Sequence, residues 1–244
     1  MLWGRRPVVE YLRSGGSPEK VLVAREAGGS ELLEEIRRRS RQAGVPAQVV
    51  SRPELDRIAP GNHQGVAAVT GAYGYSPLEA LLAGASTGVL FADGIMDPQN
   101  LGALIRSALG AGFNGVVIPS RRAATVTSAV RRVSAGATEL LAVAKVGNLS
   151  RAIEQAKSQG LWVVGLDEKA SESLWTSSLL DPPAGLVVGA EDRGISRTVR
   201  LRCDGVVGIP QQGELGSLNA GVAGAIAMFE VARRFHSLSG DARG

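Results

Sequence analysis

The sequence predicts an α/β protein with a small N-terminal α/β domain and a larger C-terminal domain built on a mostly parallel sheet. Short apolar runs alternate with helical segments along most of the chain, which is typical of α/β folds. In the C-terminal part these runs are apolar throughout, as expected of strands that are buried on both faces. With 244 residues, 44% of them hydrophobic, the chain can bury a sizeable core.

The N-terminal elements follow one another at short intervals. We predict strands at 21–23, 47–50 and 65–70 and helices at 30–43 and 51–58. Two glycines and a proline within 71–77 then break both periodicities. We therefore expect an N-terminal domain over 1–72, a linker over 73–87 and a C-terminal domain over 88–244.

The C-terminal domain is predicted from six apolar runs with helix-like segments between them. These strands are predicted at 89–92, 116–118, 140–143, 162–166, 186–188 and 206–209. In parallel sheets that helices cover on both faces, ligands bind at the carboxyl ends of the strands. We expect the chemistry in the loops that open there.

Charge and cysteine content bear on the binding partner and on the cellular location. The net charge is +4, and 23 of the 27 basic residues are arginines. Guanidinium groups bind phosphates and stack on bases, so this bias is compatible with nucleic-acid binding, although a GC-rich genome produces the same bias. With one cysteine, no apolar signal segment and no apolar stretch of roughly 18 residues, we predict a cytoplasmic protein without a membrane span.

Several common catalytic motifs are absent or misplaced. Residues 110–115 spell G-x-G-x-x-G, but a predicted helix precedes them and a strand follows, the reverse of a dinucleotide-binding loop. The sequence contains no Walker A loop and no G-x-S-x-G nucleophile motif. The two histidines and the cysteine are scattered, so no metal site is expected, and His63 is predicted to be a turn residue.

The first polar loop at a predicted strand end leads into a helix that begins near Asn100. Asn100 is suited to cap this helix. Arg106 lies on a face separate from the apolar stripe, and helical side chains lean towards the N-terminus, so its guanidinium is expected to reach back towards Asn100. This arrangement could hold a phosphate or an oxyanion. An exposed helix arginine without a ligand is the alternative.

Two further loops carry polar residues in glycine-rich surroundings. In the first, Glu191 stands between Gly189 and Gly194, which allow the backbone to approach a ligand closely. In the second, Ser217 and Asn219 directly precede a predicted helix. Helix capping would explain one of these two residues without any function.

Together, these loops resemble the motifs of the SpoU (TrmH-type) ribose methyltransferases, which belong to the SPOUT superfamily. Asn100-Leu101-Gly102 with Arg106 is similar to the first family motif, Gly189-Ala190-Glu191 with Gly194 to the second, and Ser217-Leu218-Asn219 to the third. Residues 4–10 and 63–66 resemble the two ends of the small substrate-binding domain in the bacterial ribosomal-RNA branch. The resemblance therefore spans nearly the whole chain.

The resemblance implies a trefoil-knotted α/β catalytic domain, an L30e-like substrate-binding domain and a homodimer. It also implies S-adenosylmethionine as cofactor, with contacts from Gly189, Ile209 and Leu218. Catalysis would involve a set of five residues, namely Asn100, Arg106, Glu191, Ser217 and Asn219. A guanidinium stays protonated in proteins, so we expect Arg106 to act electrostatically, with the RNA phosphate as one possible proton acceptor.

The implied substrate is the 2′-hydroxyl of a guanosine in large-subunit (23S) ribosomal RNA. The alternatives are a transfer-RNA ribose methyltransferase, a resistance-type ribosomal methyltransferase and, in a different class, a non-catalytic RNA-binding assembly factor. RNA contacts are expected from six arginines of the small domain, namely Arg5, Arg6, Arg37, Arg38, Arg39 and Arg41. For the four on the helix, a solvated face is the alternative.

Overall fold

The computed structural model describes residues 1–212 and 217–239, which form two compact units. The first consists of Met1–Gly74 together with Val126–Leu140. The second consists of Tyr75–Thr125 together with the described residues after Leu140. The chain therefore passes between the units three times.

The first unit is built on a four-stranded mixed sheet in the order β1-β4-β2-β3. Its strands are β1 (Leu2–Trp3), β2 (Lys20–Ala24), β3 (Gln48–Val50) and β4 (Val66–Val69). β2 and β3 are parallel, whereas β4 is antiparallel to both β1 and β2. Helices α1 (Arg5–Arg13), α2 (Glu31–Gln42) and α3 (Arg52–Ile58) follow β1, β2 and β3.

Two of the three helices that follow these strands, α2 and α3, begin at a serine that caps the helix. Ser30 caps α2 by accepting a hydrogen bond from the Leu33 amide, and Ser51 caps α3 in the same way, so the predicted helices over 30–43 and 51–58 are confirmed. Sequence reasoning missed α1, which begins with two arginines after Gly4 and has no side-chain cap. Its buried face is formed by residues that include Val8, Val9 and Leu12.

The buried side chain of Arg131 connects the segment Val126–Leu140 to the rest of the first unit. It contains α6 (Ser128–Val133) and a 3₁₀ turn at Ala137–Glu139. Arg131 Nε lies 2.8 Å from Glu139 Oε1, and Arg131 Nη1 donates to Thr70 Oγ1 at 3.1 Å. The Arg131 guanidinium also lies 5.2 Å from the centroid of the Tyr11 ring. These partners satisfy a charge that would otherwise be costly to bury.

The second unit is built on a six-stranded sheet, all parallel, in the order β10-β8-β9-β5-β6-β7. Its strands are β5 (Gly88–Asp93), β6 (Gly115–Pro119), β7 (Ala142–Val146), β8 (Trp162–Leu166), β9 (Ala184–Gly189) and β10 (Gly205–Val207). Its helices are α4 (Leu78–Leu82), α5 (Pro98–Gly110), α7 (Leu149–Ser158), α8 (Arg197–Arg200) and α9 (Ala220–Ser239).

Helices cover this sheet on both faces, which confirms the predicted architecture. On one face α4 and α7 pack on the central strands, where Phe91 and Val187 are fully buried. On the other face α9 packs against α5 and β9. Gly224 of α9 leaves room for the side chains of Leu104 and Val188, because an added Cβ atom would lie 2.3 Å and 3.2 Å from them. Of the helices in the described ranges, none has both the length and the apolarity of a membrane span.

In the second unit, two predicted strands include residues that lie outside the observed strands. The run at 140–143 predicted a strand that is in fact Ala142–Val146, because Leu140 ends the preceding 3₁₀ turn and is 53% exposed. The last predicted strand, 206–209, ends at Val207. Apolar runs identify which strands exist, but pairing with a neighbour decides where each one ends.

Candidate active site

The loop after β5 places Asn100 inside helix α5 and not at its cap. Asp97 is the N-cap: its carboxylate accepts a hydrogen bond from the Gln99 amide at 3.0 Å, and Pro98 occupies the first turn. The predicted capping role of Asn100 was therefore wrong. Asn100 lies in the first turn of α5 and is 7% exposed, so its side chain is available for contacts with other loops.

Asn100, Glu191 and Asn219 form one hydrogen-bonded cluster, although they are far apart in the sequence. Asn100 Nδ2 donates to Glu191 Oε1 at 3.0 Å, and Asn219 Nδ2 donates to Asn100 Oδ1 at 2.8 Å. Asn219 Nδ2 also donates to Glu191 Oε1, and the Ala220 amide donates to the same oxygen at 3.3 Å. The cluster therefore joins the first turn of α5, the loop after β9 and the start of α9.

Asn219 has a second function at the N-terminus of α9. Its Oδ1 accepts a hydrogen bond from the Val222 amide at 3.2 Å, so Asn219 caps the helix. Ser217, the other polar residue before α9, is exposed and makes no hydrogen bond with the described residues. The glycine-rich lead of this motif, residues 213–216, lies outside the described residues.

Gly189 ends β9 at a point where no side chain fits. A Cβ atom there would lie 2.1 Å from the Gly194 carbonyl carbon and 2.3 Å from the Ile195 amide nitrogen. Gly194 itself has φ +62° and donates its amide to the Ala190 carbonyl at 2.7 Å. The two glycines therefore close the turn that carries Glu191, in addition to leaving the backbone open to a ligand.

A cavity of about 300 Å³ opens beside this cluster at the carboxyl ends of β8, β9 and β10. Five predicted site residues line it, namely Gly189, Glu191, Ile209, Ser217 and Leu218. Asn100 and Asn219 reach the cavity wall through their hydrogen bonds to Glu191. Asp167 and Arg200, which were not among the predicted site residues, also line the cavity and form an ion pair. The sequence feature that could have identified this pair is the position of Asp167, directly after a predicted strand.

Arg106 lies in the middle of α5, and its side chain is exposed. It makes no hydrogen bond or ion pair with residues 1–212 or 217–239, and the residues that line the cavity do not include it. The structure thus brings four of the five predicted catalytic residues to the cavity or its adjoining cluster. It leaves the fifth as an unpaired cation.

The six arginines predicted to contact RNA have different surroundings. Arg5 donates to the carbonyls of Gln64 and Gly28, each at 3.1 Å. Arg37 and Arg39 form ion pairs with Glu34 and Glu35. Arg41 donates to the Arg37 carbonyl at 3.3 Å. The remaining two, Arg6 and Arg38, are exposed and have no hydrogen-bond or ion-pair partner in the described part of the chain.

Other reactive groups lie away from this arrangement. Burial raises the pKa of the Cys203 thiol to about 11, so the thiol is protonated at neutral pH. His63 is buried in the first unit, where Nδ1 accepts a hydrogen bond from the Gly65 amide at 2.9 Å and Nε2 lies 2.7 Å from Asp56 Oδ1. His63 is therefore a turn residue, as predicted. Among the described residues, no three His, Cys, Asp or Glu side chains could jointly hold a metal ion.

Comparison with known families identifies both parts of the chain. Residues 88–229 match the SpoU rRNA Methylase family, and residues 1–76 match the substrate-binding domain of RNA 2′-O ribose methyltransferases. The chain belongs to the SpoU rRNA methylase family. Its enzyme class is that of the RNA 2′-O-ribose methyltransferases.

Similar proteins are found in several bacteria. The chain is 37% identical to YacO of Bacillus subtilis, a candidate TrmH-family tRNA/rRNA methyltransferase, over 95% of this chain and 94% of YacO. It is 42% identical to an uncharacterized tRNA/rRNA methyltransferase of Mycolicibacterium vanbaalenii, over 96% and 76% of the two chains. The SpoU methyltransferase AviRb of Streptomyces viridochromogenes, solved with AdoMet, superimposes with a TM-score of 0.79 at 26% identity, over 97% and 90% of the chains.

Proposed function

We propose that this protein transfers a methyl group from S-adenosylmethionine to the 2′-hydroxyl of a guanosine in large-subunit (23S) ribosomal RNA. The observation that carries this proposal is the Asn100–Glu191–Asn219 cluster beside the cavity. It brings together residues of the three family motifs at the ligand-binding edge of a parallel sheet.

The cavity is compatible with S-adenosylmethionine in size and in chemistry. About 300 Å³ is at the lower end of pockets that hold ligands of this size. Ile209 and Leu218 supply apolar walls, and the turn at Gly189 exposes backbone beside them. We assign cofactor contacts to these three residues. When bound, the cofactor supplies an activated methyl group on a sulfonium.

Arg106 and Glu191 are the groups that would act on the ribose hydroxyl. Oε1 of Glu191 already accepts three hydrogen bonds from the protein, which fixes the carboxylate and leaves Oε2 for a further donor. The Arg106 guanidinium stays protonated and would stabilise the negative charge that develops on the hydroxyl oxygen as its proton passes to an RNA phosphate oxygen. Asn100 and Asn219 orient Glu191, and Ser217 is free to bind either reactant. Alignment of the two reactants can supply roughly 7–11 kcal/mol of the lowered barrier.

For the division of labour along the chain we keep the predicted boundaries, except that the segment Val126–Leu140 belongs to the first unit. We assign RNA binding to residues 1–72, the linker to 73–87 and methyl transfer to a knotted domain over 88–244. The match of residues 1–76 to a substrate-binding domain supports this division. Relatives with tRNA/rRNA in their names make transfer RNA the second candidate substrate. The cytoplasmic location stays a prediction.

We also propose that the active form is a homodimer. Val222 and Phe229 lie seven residues apart on α9 and are 47% and 52% exposed. They therefore share one helical face, which is apolar and beside α5, the helix that carries Arg106. A second copy of this chain would cover that face and bring its own site close to the interface.

The test is the transfer of tritiated methyl from S-adenosylmethionine to unmodified 23S ribosomal RNA, 16S ribosomal RNA and transfer RNA. We expect label on 23S RNA at one ribose, seen as resistance to alkaline cleavage. The Arg106→Ala variant should lose about 10²-fold or more in rate, because it removes charge stabilisation of the transition state. Arg151→Ala is the matched control, since Arg151 is also an exposed helix arginine whose side chain has no partner among the described residues.

The outcomes separate the alternatives. Label on transfer RNA alone would make transfer RNA the substrate and would still support 2′-O-methyl transfer. Equal rates for wild type and Arg106→Ala would remove Arg106 from the mechanism. RNA binding without label, together with no calorimetric binding of S-adenosylmethionine, would favour the non-catalytic assembly factor.

A further inference from the structure

One edge of the N-terminal sheet collects an arginine from the end of each of three strands. β1 is antiparallel to β4, β4 is antiparallel to β2, and β2 is parallel to β3. Strands β1, β2 and β3 therefore run in the same direction, and their carboxyl ends lie at the same edge. Arg6 follows β1, Arg25 follows β2 and Arg52 follows β3.

These three arginines are exposed and unpaired. None of the three side chains makes a hydrogen bond or an ion pair with the part of the chain that the structure describes. Arg25 and Arg52 follow the ends of two paired strands, since Ala24 of β2 is the register partner of Val50 of β3. Glu26 follows Arg25 and Glu54 lies two residues after Arg52, but neither carboxylate forms an ion pair with the part of the chain that the structure describes. Three arginines against two carboxylates leave the local charge positive.

A fourth guanidinium joins the same edge from the segment Val126–Leu140. Arg132 is exposed, and its guanidinium lies 5.6 Å from the centroid of the Trp3 ring. Trp3 is the last residue of β1, so Arg132 lies beside the strand end that Arg6 follows. Stacking on an aromatic ring holds a guanidinium in place and leaves its N–H groups available.

The backbone beneath these side chains is fixed. Arg5 donates its backbone amide to Gln64 Oε1 at 3.0 Å and its side chain to the carbonyls of Gln64 and Gly28. These bonds tie together the loops after β1 and β2 and the loop before β4. Cations on a fixed backbone lose less conformational entropy when they bind a ligand than cations on a mobile loop.

The arginine-rich face of α2 is different, because acidic side chains already neutralise much of it. Glu35 accepts from Arg39 at 2.7 Å and from Arg13 at 2.6 Å, and Glu34 pairs with Arg37 at 2.8 Å. A phosphate that binds Arg37 or Arg39 would have to compete with a carboxylate held on the same helix.

We propose that the edge formed by Arg6, Arg25, Arg52 and Arg132, here the arginine edge, binds the phosphate backbone of the RNA substrate. This inference rests on the proposed function and specifies which surface of the substrate-binding domain takes the RNA. Guanidinium groups bind phosphodiester oxygens through paired N–H donors, and four unpaired ones at one edge can contact several phosphates along a strand.

The experiment compares two triple variants of the full-length chain. The edge variant is Arg6→Gln, Arg25→Gln, Arg52→Gln, and the helix variant is Arg37→Gln, Arg38→Gln, Arg41→Gln, so each removes three positive charges. Affinity is measured by fluorescence anisotropy between 50 and 200 mM salt, with an unmodified 23S ribosomal RNA transcript and an unmodified transfer-RNA transcript as probes. Calorimetric titration with S-adenosylmethionine is the control for the catalytic domain.

We expect the edge variant to bind RNA at least about tenfold more weakly and to lower the slope of log K against log salt by about 2 to 3, since each lost phosphate contact removes nearly one unit. Its cofactor affinity should be unchanged. A second edge variant with Lys at the same three positions keeps the charge and should retain most of the slope.

Wild-type RNA affinity in the edge variant would overturn the inference, and so would an equal or larger loss in the helix variant. Loss of both RNA and cofactor binding would overturn it as well, because the effect would then extend beyond this edge. If wild type binds RNA and methylates none, the proposed function fails, whereas the comparison of the two variants still decides the binding surface.

Discussion

Individual residues of the site serve structure and chemistry at the same time. Asn219 caps α9 through its Oδ1 and holds Glu191 through its Nδ2. Glu191, in turn, accepts hydrogen bonds from Asn100 and from the first amide of α9. Helix capping and catalysis were alternatives for Asn219 in the sequence. In the folded chain, one side chain has two polar atoms and can do both.

Gly189→Ala should disrupt the turn that carries Glu191. The added methyl group would meet the backbone of Gly194 and Ile195 at 2.1–2.3 Å, and backbone cannot move aside as a flexible side chain can. We expect a loss of about 1–3 kcal/mol in the free energy of unfolding, as for other overpacked sites, and weaker binding of S-adenosylmethionine. Denaturant unfolding and calorimetric titration measure the two effects.

Gly147→Ala is the matched control for this substitution. Nothing lies within 4 Å of the Cβ position at Gly147, and its φ is not in the left-handed region. Its stability and cofactor affinity should equal those of wild type. If Gly189→Ala behaves in the same way, the turn is more adaptable than its geometry indicates.

At the scale of elements, α2 illustrates how charges on a helix can stabilise a fold. Arg13 of α1 and Arg39 of α2 both bond to Glu35, and these hydrogen bonds lower the pKa of Glu35 from its ordinary value of 4.5 to about 2. Because the folded-state pKa is depressed, the ionised carboxylate stabilises the fold above about pH 4.5. This contribution is lost as the pH falls towards 2.

The expected consequence is a pH-dependent effect of Glu35→Gln. Above about pH 5, amides of α1 and α2 should exchange hydrogen faster in the variant than in wild type at the same pH, and the difference should disappear near pH 2. Hydrogen-exchange mass spectrometry of the full-length chain measures this. Glu26→Gln removes an exposed carboxylate that has no partner among the described residues, so it should show no difference at any pH. A difference for Glu35→Gln that persists at pH 2 would contradict the assignment.

At the scale of the whole molecule, the exposed apolar face of α9 is the feature that the single chain leaves unexplained. Phe229→Glu places a charge on this face and should convert the proposed dimer into a monomer, as measured by light scattering after size-exclusion chromatography. Leu201→Glu is the control, since Leu201 is 73% exposed and lies outside α9. Equal masses for Phe229→Glu and wild-type protein would remove this face from the interface.

Much of the second unit could be predicted because its strands are buried on both faces. The strand at 162–166 begins and ends where the apolar run does. The strand predicted over 140–143 lies at Ala142–Val146 in the structure, because Leu140 is apolar but ends a 3₁₀ turn outside the sheet. An apolar run alone does not show which of its residues belong to a sheet. Helix α1 was missed because its cap is a glycine and its first residues are charged. Buried strands can be recognised from local apolar runs in the sequence. Strand pairing and helix starts without a side-chain cap have no such local pattern.

The sequence by itself determined the α/β class, the order along the chain of nine of the ten described strands, all but β1, and the three polar loops at strand carboxyl ends. Periodicity and glycine placement are local properties of the sequence, so they can be recognised without knowledge of tertiary packing. Only the tertiary structure decided that Asn100, Glu191 and Asn219 share one hydrogen-bonded cluster, because they are separated by up to 119 residues. It likewise decided which arginines are neutralised and which lie unpaired at one sheet edge, since charge pairing depends on strand direction and helix packing.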